Sequence, residues 1–161
     1  KPEPIFTAVE ELKTDDTQVI LMTPQGIPFK QTHAQKFSTD KHLIILCGHY
    51  EGVDHRVIEQ LVDEEISIGD YVITNGAIAA AVVTDAIVRL IPGALGDARS
   101  PEEESFTDPN MLEPPAYTKP NEFRGMKVPD VLLSGDHGKI EAWKKEQALK
   151  RTQENRPDLL D

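Results

Sequence analysis

Two apolar runs, "QVILMT" (18–23) and "HLIILC" (42–47), carry aliphatic side chains without the polar alternation of a half-solvated strand. Such runs suit strands covered on both faces, as in parallel sheets. Between and after them lie segments of helical character. Ile5–Lys13 reads as a short helix with Pro4 near its first turn. A weaker helix falls near Thr32–Phe37, and Val53, Val57 and Leu61 recur at i, i+4, i+8 within Val53–Val62. "AIAAAVVTDAIVRL" (77–90), ended by Pro92-Gly93, is the most apolar helix candidate. Strand alternating with helix predicts an α/β domain with a mostly parallel sheet.

Each strand ends in a glycine-bearing turn. "TPQG" (23–26) closes the first strand and "CGHYEG" (47–52) follows the second. "EISIG" and "YVIT" (64–74) read as a short extended pair broken at Gly69-Asp70, leading through Asn75-Gly76 into the apolar helix. Open α/β sheets bind ligands at strand C-terminal ends, so the three turns can line one pocket. Metal and nucleophile readings of "LCGHYEGVDHRV" (46–57) are weak. His49 and His55 lack a zinc spacing, and Cys47 has no CxxC partner. A buried strand-end cysteine is ordinarily a small hydrophobe. Neither phosphate-loop glycine pattern is present.

The 161 residues are enough for one domain, or a core domain with an appendage. No apolar run approaches the ~18–20 residues of a membrane span, and a single cysteine suits a reducing cytoplasm. The net charge of −11 is unevenly spread. Residues 1–118 hold 8 Lys/Arg against 20 Asp/Glu, whereas residues 119–161 hold 9 against 8. An RNA partner docking on the C-terminal segment is therefore not excluded. From Gly93 to Pro120 the chain is polar and Pro-rich, as in a lid, linker or binding segment. After "VPDVLLS" (128–134), a helix from about Gly138 to Gln153 follows, expected to pack Ala142, Trp143 and Leu149 and to leave Lys144, Lys145 and Arg151 in water.

The ordered motifs "CGHYEGVDHRV", "EISIGDYVITNG", "DAIVRLIPGALG", "EESF", "YTKP", "VPDVLLSG" and "RPDLL" resemble the bacterial tRNA (guanine-37 N1)-methyltransferase family. That family is of the SPOUT class, α/β with a deep trefoil knot and a small helical C-terminal domain. The resemblance runs over essentially the whole chain. It implies a knotted cofactor-binding domain over 1–95, a flexible linker over 96–103 and a tRNA-binding domain over 104–161. It also implies a cytoplasmic homodimer with shared active sites, using S-adenosylmethionine and admitting Mg²⁺ as an additional aid. No metal ligands, and no membrane association, follow from it.

Carried over by position, the resemblance places the cofactor at Met22 and Pro24, at Gly48, Tyr50, Glu51 and Gly52, and at Ile68, Gly69, Tyr71, Ile73, Asn75 and Gly76. Guanine N1 carries a proton, so methylation there needs a base, and charge developing at O6 needs a cation or donor. The family's acidic-Ser-Phe motif puts the base at Glu104, and its arginine before "IPG" is Arg89. Lys119, Lys144, Lys145, Arg151 and Arg156 are the candidate RNA contacts. The chain departs from the family at Glu104 (usually aspartate), at Asn75-Gly76-Ala77 (usually Gly-Gly-Glu) and at Lys119 (usually arginine). The opening Lys1-Pro2-Glu3-Pro4, without methionine, suits a fragment lacking the family's front segment. The alternative function is a knotted S-adenosylmethionine- and RNA-binding module with impaired catalysis.

Overall fold

The computed structural model describes residues 1–49, 52–94 and 105–160. The chain divides into two compact units, Lys1–Ala98 and Arg99–Asp161.

The first unit is a three-layer α/β/α arrangement. Strands β1 (Thr17–Pro28), β2 (His42–Cys47) and β3 (Glu64–Ser67) form a parallel sheet in the order β2-β1-β3. The central strand buries Val19 to Met22 completely, and its side chains alternate between two cores. Val19 packs with Val9 of α1 (Pro2–Leu12) and Val57 and Leu61 of α3 (His55–Leu61). Ile20 and Met22 pack with Ala34 and Phe37 of α2 (Gln31–Phe37) and Ala79, Val83 and Ile87 of α4 (Gly76–Val88). Double-sided burial explains why β1 reads as a continuous apolar run. Asp54 caps α3, accepting from the Arg56 N–H, which starts the helix two residues after Val53.

Two expected features differ. "TPQG" does not end the first strand. Met22 and Ile27 both lie opposite Ile66, so Thr23–Gly26 leave the ladder as a bulge and the strand resumes through Pro28. Pro24 has no N–H to offer a neighbour, yet the Phe29 N–H reaches the Ser67 carbonyl at 2.7 Å and returns the chain to β3. "YVIT" (71–74) is not a strand. Its backbone is spent locally, the Tyr71 N–H donating to the Gly69 carbonyl, and Val72 is 86% exposed, so no neighbour rewards an extended ladder.

In the second unit, β4 (Glu122–Phe123) and β5 (Met126–Lys127) form an antiparallel hairpin that no sequence pattern announced. Arg124 and Gly125, both with positive φ (51° and 79°), make its two-residue turn. Then come α5 (Asp130–Leu133), α6 (His137–Asn155) and a 3₁₀ turn over Pro157–Leu159. The inward face of α6 runs through Ala148 and Thr152 rather than Ala142 and Leu149. Leu149 is 41% exposed, while Lys144 is half-buried beside Trp143 on that inward face. A lysine stem can cover apolar surface while its ammonium stays wet.

Candidate functional site

A cavity of about 360 Å³ lies at the C-terminal ends of the three strands. β1 contributes Met22 and its bulge Pro24, the turn after β2 contributes Gly48 and Gly52, and the 68–74 loop contributes Ile68, Gly69, Tyr71 and Ile73. Asn75 and Gly76 close it at the start of α4. Ten of the twelve expected cofactor positions thus line one cavity; Tyr50 and Glu51 lie outside the described residues. Ser67, Val53 and His55, to which the resemblance assigns no role, line it as well. Ser67 carried a signal in its position two residues before Gly69.

Local hydrogen bonds shape each wall. The Gly76 N–H donates to the Gly48 carbonyl at 3.1 Å, and His49 and Asn75 form an antiparallel bridge, so the second and third turns are joined by backbone. Asn75 is extended (φ −160°) and its side-chain oxygen accepts from the Ala77 N–H at 2.9 Å. Its value here is helix capping. The Ser67 hydroxyl donates to the Gly69 carbonyl at 3.0 Å and accepts from the Gly69 N–H at 3.2 Å. Gly69 has a positive φ of 150°, and the Tyr71 ring folds over it as the Tyr71 hydroxyl donates to the Ile68 carbonyl. A Cβ on Gly26 would collide with the β3 backbone at Glu65 and Ile66. One on Gly76 would press on Cys47 Cα at 3.2 Å and Gly48 N at 3.3 Å.

Asp54 and Arg56 flank the cavity-lining His55 and pair with each other. The Asp54 carboxylate accepts from Arg56 Nε and Nη2 at 2.9 and 2.7 Å, and chiefly this hydrogen bonding lowers its pKa to about 2. Cys47 is exposed rather than buried as its strand-end position suggests, because it lies on an edge strand, yet partial desolvation still pushes its thiol up, away from the thiolate a nucleophile needs. Among the described residues no group of three or more His, Cys, Asp or Glu could hold a metal ion.

Other expected residues are not gathered at this cavity. Arg89 caps the C-terminal end of α4 and is half-buried. The helix places it roughly 20 Å along the axis from Gly76. Glu104 and the expected 96–103 linker lie outside the described residues. In the second unit, Lys119 and Lys144 border a groove of about 440 Å³ that also includes Tyr117 and Trp143. Lys144 pairs with Glu141 at 3.2 Å. Lys145 and Arg151 are exposed on α6, but Lys145 is turned about 100° from Lys144, whereas Arg151, seven residues on, returns close to its face. Arg156 donates from Nε and Nη2 to Asp158 at 2.8 and 2.7 Å.

A family profile described as "tRNA (Guanine-1)-methyltransferase TrmD" matches residues 1–161. A Staphylococcus carnosus protein named tRNA (guanine-N(1)-)-methyltransferase is 58% identical over 161 residues, covering 99% of this chain and 65% of its own length. Proteins of the same name from Staphylococcus haemolyticus and Brevibacillus brevis are 57% and 56% identical over 162 residues, covering all of this chain and 66% of each. The chain thus spans just under two thirds of the length of these curated relatives. With three glycine-bearing turns around one strand-end cavity and a match along its whole length, the chain belongs to the tRNA (guanine-1)-methyltransferase TrmD family.

Proposed function

We propose that this chain is the greater part of an S-adenosylmethionine-dependent enzyme that methylates N1 of guanine 37 in tRNA. The observation that carries the reading is the convergence of ten resemblance-derived positions on one cavity of about 360 Å³, within the usual range for small-molecule sites. The donor set fits the ligand. Backbone N–H and C=O groups of tight turns can read adenine and ribose edges, and Gly26 and Gly76 let the chain pack closely on β3 and on the turn after β2, which holds those turns around the cavity.

When bound, S-adenosylmethionine supplies the methyl group as an electrophilic sulfonium carbon. The chain's own residues have two tasks. The Glu104 carboxylate accepts the N1 proton, and the Arg89 guanidinium stabilises negative charge developing at O6. Arg89 lies at the far end of α4 from the cavity, which favours a site composed from two copies of the chain. The surface of α4 supports such a pairing. This helix is apolar nearly all round: Ala79, Val83 and Ile87 face the core, while Ile78 and Val82, 55% and 50% exposed, face outward. A helix of that composition is normally buried on every side. In this reading the first unit holds the cofactor and the second docks tRNA, in the cytoplasm.

The test is methyl transfer by the full-length enzyme to tRNA transcripts bearing guanine or adenine at position 37. Transfer to the guanine transcript alone is expected. Cofactor binding with no transfer to either transcript would leave only a binding module.

A further inference from the structure

The residues that follow position 104 form a loop closed by its own hydrogen bonds. The Phe106 N–H donates to the Met111 carbonyl at 3.1 Å, and the Met111 N–H to the Asp108 carbonyl at 3.0 Å. The Glu113 N–H donates to the Ser105 hydroxyl at 3.1 Å. Phe106 itself sits at φ 68°, in the left-handed region that bulky side chains rarely occupy. Such a conformation persists only where its surroundings hold it.

Two side chains from the end of the chain supply that hold. Thr152 is completely buried in α6. Its hydroxyl accepts from the Leu112 N–H at 3.0 Å and donates to the Ala148 carbonyl at 2.8 Å, using both of its capacities. Arg156, just past α6, lies with its guanidinium carbon 5.9 Å from the centre of the Phe106 ring, within cation–π range. One edge of that guanidinium, Nε and Nη2, is occupied by the Asp158 carboxylate. A guanidinium already neutralised in this bidentate way is poorly suited to a phosphate.

We infer that Thr152 and Arg156 are positioning residues that clamp the 105–113 loop and so fix the backbone leading out of the acidic-Ser-Phe motif. The inference rests on the proposed role of Glu104 as the base. Its physical content is torsional. Releasing either anchor lets Phe106 leave φ 68°, and rotation there reorients the Ser105–Phe106 peptide that follows Glu104 in the chain. A misplacement of ~1 Å at a reacting group can cost on the order of 100-fold in rate. Arg156 thereby acts on chemistry rather than on RNA affinity, although its charge alone would suggest a phosphate contact.

The experiment uses the full-length enzyme with Thr152→Val, Thr152→Ser, Arg156→Lys and Arg156→Ala. Single-turnover methyl transfer at saturating tRNA and S-adenosylmethionine is measured beside tRNA Kd over a salt series, thermal melting and hydrogen exchange at the Leu112 amide. Thr152→Val and Arg156→Lys are each expected to slow transfer by about 10-fold or more, with tRNA Kd and its salt slope unchanged. Thr152→Ser, which keeps the hydroxyl, should leave both the methyl-transfer rate and Leu112 exchange as in the wild type, whereas Thr152→Val should speed that exchange. Full activity in Arg156→Lys together with a salt slope reduced by about 1 in Arg156→Ala would make Arg156 a phosphate contact and overturn its part. An undiminished rate in folded Thr152→Val would reduce Thr152 to packing. Should Thr152→Val not fold, Arg156→Lys, outside the helix, carries the decision. A wild-type enzyme with no methyl transfer would overturn the proposed function and the catalytic half of this inference together, and Leu112 exchange alone would then decide the clamp.

Discussion

Gly26 and Gly76 are constrained by protein backbone as much as by any ligand. A methyl group on Gly26 would overlap the Glu65–Ile66 peptide of β3. Gly26→Ala is therefore expected to destabilise the first unit by about 1–3 kcal/mol, the usual cost of overpacking, read as a lower denaturant midpoint. At Gly76 the Cβ direction points to Cys47 and Gly48, not into open cavity. Loss of cofactor binding in Gly76→Val thus needs a melting control before it counts as a cavity effect. Asn75→Ala removes the cap of α4 and should cost ~1 kcal/mol, whereas Asn75→Asp keeps an acceptor and should stay close to wild type. Asp54 gives a pH prediction. Its folded pKa of about 2 lies below the ordinary carboxyl value, held there first by the Arg56 hydrogen bonds. A depressed carboxyl stabilises above its unfolded pKa of ~3.9 and loses that contribution as pH falls through its folded value. The Asp54 carboxyl signal should stay in its charged position down to about pH 3; a midpoint near 4 would mean that the Arg56 pairing is absent in solution.

At the scale of elements, α4 and α6 carry the claims about partners. The outward face of α4 presents Ile78 and Val82 one turn apart. If a second copy covers that face, Val82→Glu should shift full-length protein from dimer to monomer in sedimentation velocity, because an unpaired charge cannot be buried cheaply. An unchanged dimer would move the interface elsewhere. On α6, Lys144 and Arg151 share a face while Lys145 does not. The Lys144/Arg151 double alanine variant should therefore reduce the salt slope of tRNA binding by about 2, with Lys145→Ala adding little. Equal losses from all three would mean that RNA wraps the helix.

At the scale of the whole molecule, the proposed composite site makes a prediction that no single variant can test. A cofactor-defective Gly76→Val chain and a base-defective Glu104→Gln chain, each inactive alone, are mixed under conditions that allow subunit exchange. With sites shared across a two-fold dimer, one site of the heterodimer is intact, and up to about a quarter of wild-type activity should return. With sites confined to one chain, every site carries a defect and the mixture stays inactive.

What the sequence determined by itself is local or collinear. The apolar runs located β1, which is buried on both faces, and β2, a half-buried edge strand, because both pack aliphatic side chains against helices, and the ordered motifs located the family. Eight cavity positions followed from two of those motifs because residues of one motif keep their spacing along the chain. What only the tertiary structure decided depends on residues far apart. Thr23–Gly26 read as a terminal turn, since nothing near Pro24 reveals that Phe29 will bond to Ser67. "YVIT" had the composition of a strand but found no neighbouring ladder, leaving Val72 in solvent. The inward face of α6 runs through Thr152, a polar residue whose burial pays only because Leu112, forty positions earlier, supplies the N–H its hydroxyl accepts. Arg156 looked like a free cation until Asp158 and the Phe106 ring were seen around it. Charge and hydropathy are properties of single residues, but the partner that satisfies a hydroxyl or neutralises a guanidinium is chosen by the fold.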